Sequence, residues 1–151
     1  MKPRMNFYRA APNTIRALMA LETQIQSSGL EKSLIELIKA RRLPDQWLRL
    51  LHQHAYPGAR KRGETEQRLY LLNAWREAPV YTDRERAALA WTEAETLISQ
   101  TRAPDDIYSV RAHFSETEIV NLSMLIATIS AWNRLAISFR AIPPAKVSTA
   151  A

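Results

Sequence analysis

The side chains best suited to chemistry lie in one stretch, KARRLPDQWLRLLHQHAYPGARKRG, which spans positions 39–63. It places His52 and His54 two residues apart, close to Trp47. Imidazoles can bind a metal ion or accept a proton, but a spacing of two points them to different faces of a helix. The chain contains no cysteine, which excludes thiol chemistry and cysteine-bound metal for the printed residues. As printed, this stretch predicts no metal site.

The bulk composition predicts one domain without a nucleic-acid partner. The 151 residues are 46% hydrophobic, enough for one domain over 1–151, with a core at about 5–144 and a frayed tail at 145–151. The net charge is +6, yet basic residues cluster only in ARRL and ARKRG, without an aromatic platform. No run of eighteen apolar residues and no signal-peptide pattern is present, so we expect a cytoplasmic protein without a membrane span.

Apolar periodicity predicts an all-α fold of about six helices, with few strand signals. PNTIRALMALETQIQSSG is predicted as a helix with Asn13 as its N-cap and Gly29 beyond its end. LEKSLIELIKAR repeats the amphipathic pattern. The predicted buried residues of these two helices are Ile15, Leu18, Met19, Leu21, Ile25, Leu34, Ile35, Leu37 and Ile38.

Three further segments carry helix signals. ETEQRLYLLNAWREAP is predicted to end at Pro79, and TDRERAALAWTEAETLISQ begins with Thr82 and Glu85 in capping-box spacing. APDDIYSVRAHF is predicted to begin near Pro104. His113, at the end of this segment, is interpreted as a helix-end histidine rather than a base.

The last helix, SETEIVNLSMLIATISAWNRLAISFR, is apolar on nearly all sides. It begins with a second capping box, Ser115 and Glu118. The pattern predicts the buried centre of the fold or of an interface between subunits. Trp132, Asn133 and Arg134 are interpreted as packing residues, with Asn133 and Arg134 satisfying buried partners.

With residues 42–58 set aside, four segments are similar to a known family: MNFYRAAPNTIRALMALE, LIELIKAR, RKRGETEQRLYLLNAWREAPVYTDRERAALAWTEA and MLIATISAWNRLAISFR. They resemble the alkylhydroperoxidase D-like branch of the carboxymuconolactone decarboxylase family. The resemblance extends over residues 5–144. It implies an all-α, alkylhydroperoxidase D-like fold.

In the family that the chain resembles, a glutamate precedes a Cys-x-x-Cys-x-x-x-His motif, with the first thiol twelve positions later. Glu36 occupies the position of this acid. Taken alone, Glu36 is typical of a solvated helix acid paired with Lys32 or Lys39. The motif would fall at positions 48, 51 and 55, which are Leu48, Leu51 and Ala55.

We hypothesise that two compensating frameshifts account for this mismatch. One base would be gained just before the codon of Arg42 and one lost near Gly58. Each intended codon would then consist of the second and third bases of one printed codon and the first base of the next printed codon. Trp47 is encoded only by TGG, and a following CTN leucine codon then gives GGC, a glycine. The same shift permits cysteine at 48 and 51 and histidine at 55, within ASRINGCAYCINMHTQE over 42–58. Deliberate replacement of the segment is the competing explanation.

The resemblance implies a peroxidase that reduces hydrogen peroxide or a small organic hydroperoxide. Position 51 would carry the peroxidatic thiol, position 48 the resolving thiol and position 55 a relay histidine, with Glu36 as its acid. A cysteine at the start of a helix favours the thiolate form. No metal, haem or flavin is implied; the redox group would be a disulfide, reduced by a dithiol such as a dihydrolipoyl protein. The family also implies a homo-oligomer, based on dimers and often hexameric.

Two other functions remain open at this point. A lactone decarboxylase of the wider family would lack the thiol pair, so recovery of the cysteines distinguishes it from a peroxidase. The literal sequence, without thiols, is compatible with a non-enzymatic basic helical scaffold.

Overall fold

The computed structural model describes residues 2–42, 65–100 and 105–141. These ranges contain no strand, which confirms the all-α prediction. Two 3₁₀ helices, Leu71–Ala74 and Asp105–Ala112, accompany the α-helices. The six α-helices of the described residues are α1 (Phe7–Ala10), α2 (Pro12–Gln26), α3 (Lys32–Arg42), α4 (Glu66–Tyr70), α5 (Asp83–Thr96) and α6 (Glu116–Ser138).

The hydrophobic core is built mainly from α3, α5 and α6, with α2 packed against them. The predicted inward face of α3 is confirmed, since Leu34, Ile35, Leu37 and Ile38 are all buried. Leu89 of α5 and the middle of α6 complete the centre of the core. Burial of side chains of this size contributes roughly 1.5–3 kcal/mol each.

Both predicted capping boxes are present. The backbone N–H of Thr82 donates to Glu85 at 2.8 Å, and that of Ser115 donates to Glu118 at 2.8 Å. Glu118 also accepts a hydrogen bond from Arg84 of α5 at 2.6 Å. The second box therefore joins the start of α6 to α5.

The start of α2 differs from the prediction. The helix begins at Pro12, and its N-cap, Ala11, makes no side-chain capping bond. Asn13 lies within the first turn and accepts a hydrogen bond from Arg16 at 3.1 Å. A proline is pre-organised for the first helical position, so it sets the start in place of an asparagine cap. Met19, predicted on the apolar face, is 52% exposed.

The predicted helix over ETEQRLYLLNAWREAP is divided. α4 covers five residues, and the 3₁₀ helix Leu71–Ala74 follows it. The guanidinium group of Arg86 donates to the backbone carbonyls of Trp75 and Arg76, both at 3.0 Å, and to that of Ala78. These carbonyls are thereby satisfied without a further α-helical turn.

The segment from Asp105 to Ala112 is also a 3₁₀ helix rather than the expected α-helix. Pro104, its predicted first-turn residue, and the tail 145–151 lie outside the described residues. His113 follows this helix, as predicted, and its carbonyl accepts from Arg84.

α6 is the one helix of the described ranges that is long and apolar enough, by length and composition alone, to cross a membrane. Its most apolar window has a mean hydropathy of 1.2, and 33% of that window is buried inside the chain. The buried side includes Ile119, Leu122 and Ile126, which belong to the central core. The prediction of a buried central helix thus holds for one side of α6 only.

Candidate active site

Glu36 lies on α3, at the border between the core and the surface. Its neighbours Ile35 and Leu37 are fully buried, and the Glu36 side chain is 12% exposed. The ammonium group of Lys39, one turn later, lies 3.8 Å from the Glu36 carboxylate. The same ammonium lies 3.5 Å from Glu22 of α2. The predicted pairing of Glu36 with Lys39 is present, and Lys39 links two acids on neighbouring helices.

α3 leads from Glu36 towards the predicted thiol positions. Its last turn carries Lys39, Arg41 and Arg42, whose positive charges suit the negative end of the helix dipole. Positions 48, 51 and 55 follow, and Leu48, Leu51 and Ala55 lie outside the described residues, as do Trp47, His52 and His54. The structure therefore describes only Glu36 among the four predicted site positions, and both its role as the acid and the approach of the other three positions to it stay predictions.

A second carboxylate, Glu93 of α5, holds the end of α3 in place. Glu93 Oε1 accepts hydrogen bonds from the Arg41 guanidinium at 2.6 Å and from the Trp75 indole N–H at 2.8 Å. Its other oxygen lies 2.7 Å from the guanidinium of Arg76. One acid thus connects α3, α5 and the segment after the first 3₁₀ helix, and its charge-assisted bonds are of the strong kind.

The charge of Glu93 is stabilised by these partners. Burial alone would raise the pKa of Glu93, but hydrogen bonds from Trp75, Arg41 and Arg76 outweigh it, and the pKa lies below its usual value of 4.5. Because the pKa is lower in the folded chain than in the unfolded chain, the stability it contributes is fully present above about pH 4.5. This contribution is lost as the pH falls through the folded-state pKa.

We expect Glu93→Gln to lower the free energy of unfolding by about 2 kcal/mol at pH 7, because two guanidinium groups lose their partner charge. Glutamine keeps an acceptor for the Trp75 indole, so the fold should survive. Urea unfolding measured at pH 7 and near pH 3 checks this. The difference from the parent protein should shrink at the lower pH, and a difference independent of pH would contradict the assignment.

Arg42, the last described residue before position 65, lies in a crowded basic environment. Its guanidinium donates to the Ser130 hydroxyl, and its carbonyl accepts from Asn133 at 3.0 Å. Burial, followed by the charges of Arg134 and Arg41, lowers the pKa of Arg42. Its Nε is buried without a hydrogen-bond partner among the described residues. The Nε of the neighbouring Arg41 is likewise buried without a partner among the described residues.

A pocket of about 280 Å³ lies between the end of α3 and α5. Its lining combines the cations of α3 with the carboxylate and hydroxyl groups of α5. The lining residues are Arg41, Arg42, Thr92, Glu93, Thr96 and Leu97. The pocket lies on the side of α5 that faces the C-terminal end of α3.

The residues singled out on α6 take three different positions. Trp132 packs beside the rings of Phe7 and Tyr8, at centroid distances of 6.5 and 6.3 Å, as its packing role predicts. Asn133 binds the Arg42 carbonyl, so it does satisfy a partly buried partner. Arg134 is exposed, and the prediction that it satisfies a buried partner is wrong, because it lies on the side of α6 that faces away from the core.

The contact between Glu93 and Trp75 was not predicted from the sequence. The two residues are eighteen positions apart and their types and spacing form no motif, so only the packing of the segment after the first 3₁₀ helix against α5 reveals their contact. Across the described ranges, no group of three or more histidine, cysteine, aspartate or glutamate side chains is arranged to hold a metal ion.

Comparison with known proteins places the chain in a family. The pattern of the carboxymuconolactone decarboxylase family matches residues 48–94. The chain is 37% identical over 139 residues to the uncharacterized protein YdfG of Bacillus subtilis, covering 91% of this chain and 95% of that protein. It is 43% identical to a protein of unknown function from Agrobacterium tumefaciens, described as a candidate antioxidant defence protein AhpD. That crystal structure superposes with a TM-score of 0.86 over 96% of this chain and all of the other. The chain is therefore a member of the carboxymuconolactone decarboxylase family.

Proposed function

We propose that the functional form of this protein is a thiol-dependent peroxidase of the alkylhydroperoxidase D type. In that form residues 42–58 read ASRINGCAYCINMHTQE, with cysteine at positions 48 and 51 and histidine at position 55. Family membership and the place of Glu36, partly buried on the helix that leads to these positions, carry the proposal. The antioxidant description of the Agrobacterium protein supports the same activity.

The surroundings of Arg42 are compatible with the frameshift part of the proposal. The printed arginine is partly buried beside two other arginines, with an unpartnered Nε. The restored sequence has alanine at position 42, which needs no hydrogen bond and removes one of three adjacent positive charges. Arg41, which lies outside the hypothesised segment, also has a buried Nε without a partner among the described residues, so the codon argument and the family motif carry the frameshift hypothesis.

The reaction balances with the proposed residues, one peroxide and one dithiol reductant. The thiolate at position 51 attacks one peroxide oxygen; an S–O bond forms, the O–O bond breaks, and water or an alcohol leaves with a proton supplied through the histidine and Glu36. The thiolate at position 48 then attacks the sulfenic sulfur; an S–S bond forms, the S–O bond breaks, and the hydroxide that leaves takes up a proton and departs as water. A dithiol reductant, a dihydrolipoyl group in this proposal, returns two electrons by thiol–disulfide exchange.

We also propose a cellular location and an oligomeric state for the enzyme. We place the enzyme in the cytoplasm, where dithiol reductants keep such a pair reduced. It would act as a homo-oligomer built from dimers, without a metal, haem, flavin or nucleic acid. Lactone decarboxylation is the competing activity within the family, and it requires no thiol pair.

The identity of residues 42–58 provides the first test. Sequencing the source gene across codons 41–59 should show the two compensating shifts. The intact mass of protein purified from the source organism should match the formula with two cysteines, and alkylation after reduction should add two groups. A mass that matches the cysteine-free sequence would overturn the proposal.

A further inference from the structure

Lys39 contacts two carboxylates that belong to different helices. Its ammonium group is 3.5 Å from Glu22 of α2 and 3.8 Å from Glu36 of α3. The contact with Glu22 joins the second half of α2 to the second half of α3. Two negative charges therefore share one positive charge at this point of the surface.

Exposure to solvent decreases from Glu22 to the predicted acid. The Glu22 side chain is 38% exposed, that of Lys39 is 27% exposed and that of Glu36 is 12% exposed. Lys39 and Glu22 also line a pocket of about 360 Å³, whose other lining residues all lie on α2. Glu22 is thus the most open to water of the three side chains, and Glu36 is the most enclosed.

The partial burial of Glu36 increases the effect of nearby charges on it. Charges interact more strongly where the protein excludes water, and salt screens an enclosed pair less than an exposed one. Since the carboxylates of Glu22 and Glu36 lie near the same ammonium group, they are also close enough to repel each other. The positive charge of Lys39 offsets this repulsion.

A proton relay through Glu36 depends on both the charge and the direction of its carboxylate. A carboxylate accepts a proton only in its ionised form, and it must lie within hydrogen-bond reach of the group that gives or takes the proton. Repulsion by an unscreened second carboxylate would oppose ionisation of Glu36 and push its side chain out of position.

We propose that Lys39 is a positioning residue for the relay, because its ammonium group screens Glu36 from the charge of Glu22 and holds the Glu36 carboxylate in place. Lys39 touches neither the peroxide nor the thiols, and it acts through Glu36 alone. The inference rests on the proposed peroxidase function. It assigns a role to a residue outside the Cys-x-x-Cys-x-x-x-His motif and its glutamate.

An ordinary surface ion pair is the alternative role for Lys39. Lysine and glutamate three residues apart on a helix commonly pair with little effect on stability or reactivity. Two observations distinguish Lys39 from that case. The Glu36 side chain is largely buried, and Lys39 also contacts a carboxylate on another helix.

Lys39→Met in the restored chain tests this role through stopped-flow single turnovers of the pre-reduced enzyme with hydrogen peroxide. Methionine keeps the apolar stem of lysine and removes its charge. We expect the rate of the first turnover to fall about tenfold, because two neighbouring carboxylates lose the charge that screens them. Lys39→Gln should cause a similar loss, whereas Lys39→Arg keeps the charge and should stay within about threefold of the parent.

A second substitution separates charge screening from a purely structural link. Glu22→Gln, added to Lys39→Met, removes the repelling carboxylate, so the double variant should recover to within about threefold of the parent. A lysine that only joins α2 to α3 predicts no recovery, because that link is already lost in Lys39→Met. Lys2→Met removes the same charge from an exposed position before α1 and should leave the rate unchanged.

The failure of this inference can be distinguished from the failure of the peroxidase proposal. An active restored parent with an unchanged rate in Lys39→Met would overturn the role of Lys39 alone, as would a double variant as slow as Lys39→Met. A folded restored parent that consumes no peroxide would overturn the peroxidase proposal and this inference with it. Circular dichroism and urea unfolding of each variant ensure that the rates are compared between folded proteins.

Discussion

Replacing residues 42–58 by ASRINGCAYCINMHTQE is expected to turn a protein without peroxidase activity into an active one. The leucines at positions 48 and 51 have no ionisable hydrogen, so the printed chain has no thiolate to attack a peroxide oxygen. The restored chain has two thiols, and we expect peroxide consumption with a dithiol reductant at least about 10³-fold above the printed chain, since the thiolate is the reacting species.

Two single replacements separate the roles of the thiols. Serine at position 51 of the restored chain should abolish the first turnover, because no sulfenic acid can form. Serine at position 48 should allow one turnover and leave a sulfenic acid that a dimedone-type reagent traps. A folded, restored chain with two free thiols and no peroxide consumption would contradict the proposed function, and measurement of lactone decarboxylation would then be decisive.

The fold could be predicted where local signals and packing agree. The two capping boxes, at Thr82 and Ser115, each join a side-chain acceptor to a glutamate three residues later, and both are present. The buried face of α3 follows from helical periodicity in the same way. Asn13 was wrongly assigned because Pro12 competes for the same helix start.

The sequence could not predict contacts that depend on how helices meet. Arg86 donates hydrogen bonds to the backbone carbonyls of Trp75 and Arg76, which lie ten or more positions earlier, and the helix ends there. No local sequence pattern indicates these contacts. Glu93 likewise accepts hydrogen bonds from Arg41 and Trp75, which lie on two distant segments, and no local pattern indicates these contacts either. The candidate site shows the opposite case: Glu36 is predicted through a family motif, whereas its helix position alone is typical of an ordinary surface acid.

We expect Glu36→Gln in the restored chain to reduce kcat/KM for peroxide by about 10²–10³-fold, since general acid–base groups contribute on this scale. The glutamine preserves the size of the side chain and its capacity for hydrogen bonding, but it cannot carry a proton between the histidine and the reacting oxygen. Stopped-flow single turnovers of the pre-reduced enzyme isolate this step from reduction of the disulfide.

Glu22→Gln is the matched control, because Lys39 lies near both carboxylates, 3.5 Å from Glu22 and 3.8 Å from Glu36. Both variants remove one negative charge from the same ammonium group, and only one removes the proposed relay. A purely electrostatic or structural role would therefore give similar losses in the two variants. A proton relay predicts a large loss for Glu36→Gln and an effect within about twofold for Glu22→Gln, whose acid is a surface ion-pair partner. Equal rates in both variants would show that Glu36 is an ordinary helix acid and that the thiols react without a proton relay through it.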